Sequence, residues 1–141
     1  MIWWHPARAA FDRGEACILV RVLSISGSAP REAGATMIVY ESEFAGTVGG
    51  GALEHRCMQR ARELQKGEDL ALGETITEKW ILGPDIGQCC GGAVDLTLQR
   101  MGLAAFDGLE KTEAAARALL PEVFIFGAGH VGGAIARALT S

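Results

Sequence analysis

The stretch ACILVRVLSIS, residues 16–26, is rich in Val, Ile and Leu and is typical of a largely buried strand. The Gly, Ser and Pro residues of GSAPREAG, residues 27–34, follow it and predict a loop. A second β-type run, ATMIVYES, occupies residues 35–42. The simplest interpretation is a strand, a loop that carries functional side chains, and a second strand.

The segment ALEHRCMQRARELQKG, residues 52–67, predicts an amphipathic helix. Its apolar residues recur at spacings of four, four and three, which places them on one helical face. Gly67 is a natural C-terminal stop for this helix. The residues of the apolar face are Leu53, Cys57, Ala61 and Leu64.

The remaining segments complete a predicted α+β fold. A short strand is expected over residues 44–48, and the alternating segments 74–82 and 93–99 predict two more strands. An Ala-rich helix is expected from Lys111 to Leu120, where Pro121 would stop it. These elements predict a small mixed or antiparallel sheet with flanking helices rather than a regular parallel α/β repeat.

The last segment, VFIFGAGHVGGAIARAL, resembles the start of a dinucleotide-binding βαβ unit: a strand at 123–126, then three glycines in the G-x-G-x-x-G spacing, then a helix. The three glycines are Gly127, Gly129 and Gly132. We expect a first domain at residues 1–120 and the start of an incomplete Rossmann-like domain at 121–141. Nine residues follow Gly132, whereas the acidic residue that binds the ribose lies about 20 residues past the glycines. This argues against NAD(P) binding by the chain.

Composition and charge exclude several classes of protein. The chain has 13 Lys and Arg against 17 Asp and Glu, a net charge of −4, and no basic run, which argues against nucleic acid as a partner. No apolar stretch approaches the roughly 20 residues of a membrane span. The N-terminus, MIWWHPARAA, lacks the pattern of a signal peptide, so we expect a cytoplasmic protein whose four cysteines are reduced.

The segment GQCCGG, residues 87–92, places two adjacent cysteines among glycines. Adjacent cysteines form only a strained disulfide, and zinc ligands are usually separated by two or more residues. Soft sulfur ligands suit a sulfur-bearing metal centre, and glycine lets a bulky ligand approach the backbone. The alternative is that both thiols are small buried fillers of a tight turn.

Two more glycine-containing loops suggest binding of an anion. Gly49–Gly51 precede the predicted helix, whose first amides would favour an anion, although a plain strand-to-helix turn is the alternative. Glu54 lies in the first turn, where its charge favours the helix dipole. In the first loop, near Ser28, Arg31 could bind a phosphate bidentately, or it could form a solvated pair with Glu32. Together the three loops would hold an anionic, sulfur-bearing ligand.

The motifs GSAPREAGATMIV, GTVGGGALE and GPDIGQCCGGAVDL, followed by VFIFGAGHVG, resemble the XdhC/CoxI family of xanthine dehydrogenase accessory proteins. The resemblance covers nearly the entire chain from Ala16 onward. It implies a non-catalytic chaperone that binds molybdenum cofactor, keeps its sulfurated form intact and helps insert it into an apo xanthine dehydrogenase-type enzyme. A cysteine desulfurase is the implied sulfur source.

The resemblance also implies a set of cofactor-binding residues. Arg31 and the glycine amides would contact the phosphate or oxo groups, and Cys89 or Cys90 would lie near the metal or its terminal sulfide. Ala93 stands where the family often has a basic residue. The full set is Ser28, Arg31, Glu32, Gly49, Gly50, Gly51, Glu54, Gln88, Cys89, Cys90, Gly91, Gly92, Gly127, Gly129 and Gly132.

Assembly and two other function classes complete the expectations. An unpaired VFIF strand would be an apolar edge that pairs with another chain, so we expect a homo-oligomer or a domain-swapped dimer. The segment GAGHVG taken alone would suggest a fragment of an NAD(P)-dependent oxidoreductase. Cys89 and Cys90 taken alone would suggest a thiol redox or metal-binding module, although the chain offers no second cysteine pair at ligand spacing.

Overall fold

The computed structural model describes residues 2–27, 33–83, 92–119 and 130–140. Within these ranges the chain forms four helices and five strands. In chain order they are α1 (His5–Asp12), β1 (Cys17–Ser26), β2 (Thr36–Tyr40), β3 (Glu43–Thr47), α2 (Gly51–Lys66), β4 (Thr75–Ile81), β5 (Ala93–Arg100), α3 (Leu103–Ala118) and α4 (His130–Thr140).

The five strands form one sheet in the order β3-β2-β1-β5-β4, and every neighbouring pair is antiparallel. The predicted α+β class, with an antiparallel sheet and flanking helices, is therefore confirmed. The strands predicted at 35–42, 44–48, 74–82 and 93–99 each coincide with an observed strand whose ends differ by at most two residues.

The first four residues of the central strand β1, Cys17–Val20, are buried on both faces of the sheet, which explains their apolar composition. Ile18, Val20 and Val22 point into the cluster beneath α2, whereas Cys17 and Leu19 point into the cluster formed with α1 and α3. The predicted apolar face of α2 is confirmed, because its four residues are all buried against the sheet: Leu53, Cys57, Ala61 and Leu64.

Helix α1 was not predicted, and α3 begins eight residues before the expected Lys111. The N-terminal half of α3 contains Phe106, which is fully buried and lies 5.2 Å from Phe11 and 6.2 Å from Trp4 between ring centroids. The two helices stabilise each other through this contact, which is distant in sequence. The local signals for α1 are Pro6 in its first turn and the buried alanines that follow it.

The C-terminal prediction is only partly covered by the described residues. The expected strand at 123–126, together with Gly127 and Gly129, lies outside them, while Gly132 lies within α4. None of the helices in the described ranges combines the length and hydropathy needed to cross a membrane.

Candidate functional site

Three of the glycine-containing segments that the sequence analysis singled out leave the sheet at the same end. Ser26 at the end of β1 pairs with Ala93 at the start of β5, and Ala93 pairs in turn with Ile81 at the end of β4. Thr47 at the end of β3 pairs with Thr36 at the start of β2. Antiparallel pairing therefore brings the bases of three separate loops to this end, which we call the loop end of the sheet. The first loop joins β1 to β2, the second joins β3 to α2, and the third joins β4 to β5.

The bases of the first and third loops are in backbone contact. The amide of Leu82 donates a hydrogen bond to the carbonyl of Gly92 at 2.7 Å, which closes the base of the third loop. A Cβ atom built on Gly27 would lie 2.9 Å from the Cα atom of Gly92, closer than real Cβ contacts. Gly92 is equally constrained, because a Cβ atom there would collide with the carbonyl oxygen of Ser26. These glycines are required by this close approach.

The second loop leaves the sheet at a different height along the strand direction from the base shared by the first and third loops. Thr36 pairs with Arg21, five residues before Ser26 on β1, and five strand residues span about 16 Å. The two described ends of the loop between β1 and β2 lie at these two heights: Gly27 lies beside Gly92, and the Gly34 amide donates to the carbonyl of Val22, next to β2.

The glycine triplet between β3 and α2 has an unusual backbone. Gly49, Gly50 and Gly51 have φ angles of 129°, 75° and 62°, values that L-residues rarely adopt. No described atom lies within 4 Å of a Cβ atom built on Gly50 or Gly51. Glycine is therefore required at these two positions by the positive φ angles rather than by crowding, and no described atom covers the backbone beside them.

The amides that precede α2 are bound by the chain's own Glu54. Its Oε2 atom accepts hydrogen bonds from the Val48 amide at 3.3 Å, the Gly50 amide at 3.2 Å and the Thr47 hydroxyl. The Gly49 amide donates to Thr47 Oγ1 at 3.2 Å. The amides of residues 48–50 therefore already have hydrogen-bond acceptors within the chain when an external anion approaches. The sequence did not indicate these hydrogen bonds.

The other predicted site residues divide between described and undescribed positions. Gly49–Gly51, Glu54 and Gly92 lie at the loop end of the sheet, and Gly132 lies in α4. The remaining ones lie outside the described residues: Ser28, Arg31, Glu32, Gln88, Cys89, Cys90, Gly91, Gly127 and Gly129.

A polar groove between α2 and β4 was missed by sequence reasoning. The Arg56 guanidinium lies 4.8 Å from the ring centroid of Trp80, whose Nε1 donates to Glu78 Oε2 at 2.9 Å. Arg60 Nε donates to Glu78 Oε1 at 2.7 Å. Gln59 and Glu63 complete the groove. The sequence signal for this groove was the pair of arginines one helical turn apart, Arg56 and Arg60. It was not sufficient, because the residues of β4 that face them are distant in sequence.

The two described cysteines are core residues. Cys17 and Cys57 are free thiols with no exposed surface, and burial raises the pKa of each to about 12. The Cys17 thiol donates to the carbonyl of Ala7 at 3.4 Å. Across the described ranges, no three His, Cys, Asp or Glu side chains are grouped so that they could hold a metal ion.

The raised thiol pKa values predict a loss of stability in alkaline solution. Below pH 9 the thiols are protonated in both states, and their contribution to stability is complete; as pH rises from 9 to 12 only the unfolded thiols ionise. The free energy of unfolding should fall by about 1.4 kcal/mol per pH unit for each thiol. Urea unfolding at pH 8, 9.5 and 10.5 measures this. Cys57→Ala should show a shallower slope, and an identical slope would contradict the assignment for Cys57.

Comparison with known proteins finds a family model, a curated protein and a solved structure that are similar to this chain. Residues 10–72 match the model of the XdhC and CoxI family. A curated relative, the molybdenum cofactor insertion chaperone PaoD of Escherichia coli (strain K12), is 33% identical over 94 residues, which cover 65% of this chain and 29% of PaoD.

A solved structure, described as a xanthine dehydrogenase from Bacillus halodurans, matches with a TM-score of 0.55 and 20% identity. The match covers 73% of this chain and 31% of that one, and it shows similarity of fold. The chain thus spans about a third of the length of both proteins. The resemblance to the XdhC and CoxI family that the sequence motifs indicate is thus confirmed by the family match over residues 10–72 and by the similarity to PaoD.

Proposed function

We propose that the chain binds molybdenum cofactor as cargo and helps to insert it into a xanthine dehydrogenase-type enzyme. The relative PaoD is named as a molybdenum cofactor insertion chaperone, which supports this cargo class. The observation that carries the proposal is the common position of three glycine-containing loops at one end of an antiparallel sheet. Such loops let a bulky anionic ligand approach the backbone closely, because glycine has no side chain of its own.

The described part of the site would contribute to cofactor binding mainly through space for the ligand beside the backbone, and less through charged side chains. The open backbone at Gly50 and Gly51 leaves room for the ligand, and the first amides of α2 favour its negative groups. The contact between Gly27 and Gly92 holds two loop bases together. In this proposal Arg31 supplies the cation that binds the cofactor phosphate.

The finer part of the proposal concerns sulfur. Cys89 or Cys90 would lie near the metal or its terminal sulfide, and a cysteine desulfurase would supply that sulfur. A pocket closed by the loops would protect the sulfurated form by excluding water and oxidants. This role is protection and transfer rather than catalysis.

We also propose that the chain divides at residue 120 and associates with a second copy through residues 121–141. In this segment α4 exposes Val131 at 74% and Ile135 at 45%, and these two residues lie one turn apart on the helix. An apolar stripe of this kind gains from burial against another surface. Sedimentation equilibrium would show a dimer for the chain and a monomer when Val131 and Ile135 are both changed to Ser. A monomeric wild type would reject this part.

The cargo proposal is tested by molybdenum loading. The chain is incubated with molybdenum cofactor released from a donor enzyme, free ligand is removed, and molybdenum per protomer is measured. Wild type should retain molybdenum, while Arg31→Ala and Cys90→Ala should retain about tenfold less.

The matched controls are Arg117→Ala, which removes an exposed arginine on α3, and Cys57→Ala, which removes a buried thiol. Both should load like wild type if they remain folded. A wild type that retains no molybdenum would reject the proposed function, and equal loading in all five proteins would reject the residue assignments.

A further inference from the structure

Within the loop Thr47–Gly51 the side chain of Val48 is buried in the core between the sheet and α2, whereas the glycines that follow it need another support. Three consecutive residues hold positive φ angles, and glycine loses more conformational freedom on ordering than any other residue. Gly50 and Gly51 have no described side chain packed against them. Other interactions must therefore keep this loop in a single conformation.

A single carboxylate supplies these interactions. Glu54 Oε2 accepts from the Val48 amide, the Gly50 amide and the Thr47 hydroxyl, and Thr47 Oγ1 accepts in turn from the Gly49 amide. Every residue from 47 to 50 is thus tied to Glu54 directly or through Thr47. Hydrogen bonds to a charged acceptor are about twice as strong as those between neutral groups.

The position of Glu54 in α2 makes this arrangement possible. Glu54 belongs to the first turn of the helix, so its side chain reaches back over the loop that precedes the helix. Its negative charge is favourable beside the positive end of the helix dipole. The neighbouring Leu53 and Cys57 are buried against the sheet, which anchors this turn.

We propose that Glu54 is a positioning residue that holds the glycine loop in its binding conformation, rather than a group that contacts the cargo. The inference rests on the proposed function, because it states how one of the three loops is prepared for the ligand. Glu54 accepts hydrogen bonds from the amides at 48 and 50, and no described atom covers the loop surface beside Gly50 and Gly51. Ordering the loop before binding reduces the entropy that the ligand must offset.

The test compares Glu54→Ala and Glu54→Gln with the control Glu63→Ala, which removes a glutamate with a 67% exposed side chain from the same helix. Molybdenum cofactor affinity should fall about tenfold in Glu54→Ala. It should fall less than about threefold in Glu54→Gln, whose amide oxygen can still accept hydrogen bonds. Glu63→Ala should bind like wild type.

Amide hydrogen exchange, followed by NMR without any ligand, provides the second readout. Exchange at Val48 and Gly50 should accelerate at least about tenfold in Glu54→Ala, while amides in the β1–β5 pairing keep wild-type rates. This comparison separates loosening of the loop from general destabilisation.

Unchanged exchange at Val48 and Gly50 in Glu54→Ala would overturn the proposal, as would cofactor affinity equal to or tighter than wild type. Tighter binding would mean that the carboxylate competes with the ligand. If wild type binds no cofactor while the exchange result holds, the proposed function fails and Glu54 retains only its support of the loop.

Discussion

Gly92→Ala is expected to lower the free energy of unfolding by about 3 kcal/mol and to reduce molybdenum loading by about tenfold. The added methyl group would collide with the carbonyl oxygen of Ser26, and a backbone atom cannot move away as a side chain can. Relief requires separation of Gly92 from Gly27, and this separates the bases of the first and third loops. Urea unfolding and molybdenum content per protomer measure the two effects.

The matched control for Gly92→Ala is Gly83→Ala, at the other base of the same loop. A Cβ atom on Gly83 would meet no described atom within 4 Å, and its φ is not in the left-handed region. Gly83→Ala should therefore keep both stability and loading. Equal effects of the two substitutions would show that the backbone contact at Gly92 has no special role.

Gly46→Ala should be the most destabilising single substitution that the structure suggests, at about 4 kcal/mol. Gly46 has a φ of 78°, which costs an L-residue about 1–2 kcal/mol. A methyl group there would also collide with the carbonyl oxygen of Thr36 and lie 2.9 Å from the ring of Trp3, and such overpacking costs about 1–3 kcal/mol. Denaturant unfolding of wild type and variant gives the difference.

The control for Gly46→Ala is Gly108→Ala, within α3. Its Cβ atom would meet no described atom within 4 Å, so the variant should gain about 0.5–1 kcal/mol from better helix propensity. A Gly46→Ala protein as stable as wild type would contradict the close packing of Trp3 over β3. This prediction concerns the fold and is independent of the cargo.

Sequence reasoning recovered the elements whose signals are local. The spacing of Leu53, Cys57, Ala61 and Leu64 predicted α2, because helical periodicity alone decides which face is buried. The apolar run of β1 and the alternation of β5 were recovered for the same reason. Helix α1 and the first half of α3 were not, because their stability depends on contacts of Phe106 with Trp4 and Phe11.

The candidate site shows the same division. The glycine pattern and its resemblance to a family indicated the three loops. The pattern did not distinguish Gly92, where close backbone contact requires glycine, from Gly50, where a positive φ angle requires it. Nor did it show that Glu54 accepts hydrogen bonds from the amides before α2, because that requires its side chain to reach back over the preceding loop.

Composition, periodicity and the order of the motifs were enough to predict the α+β class, the buried face of α2 and the resemblance to the XdhC and CoxI family, since all three are local features of the chain. The position of the loop bases at one end of the sheet depends on tertiary structure, because strand order and register bring together residues as distant as Ser26 and Ala93. The physical reason is that antiparallel pairing sets which strand ends are neighbours, and no local pattern encodes it.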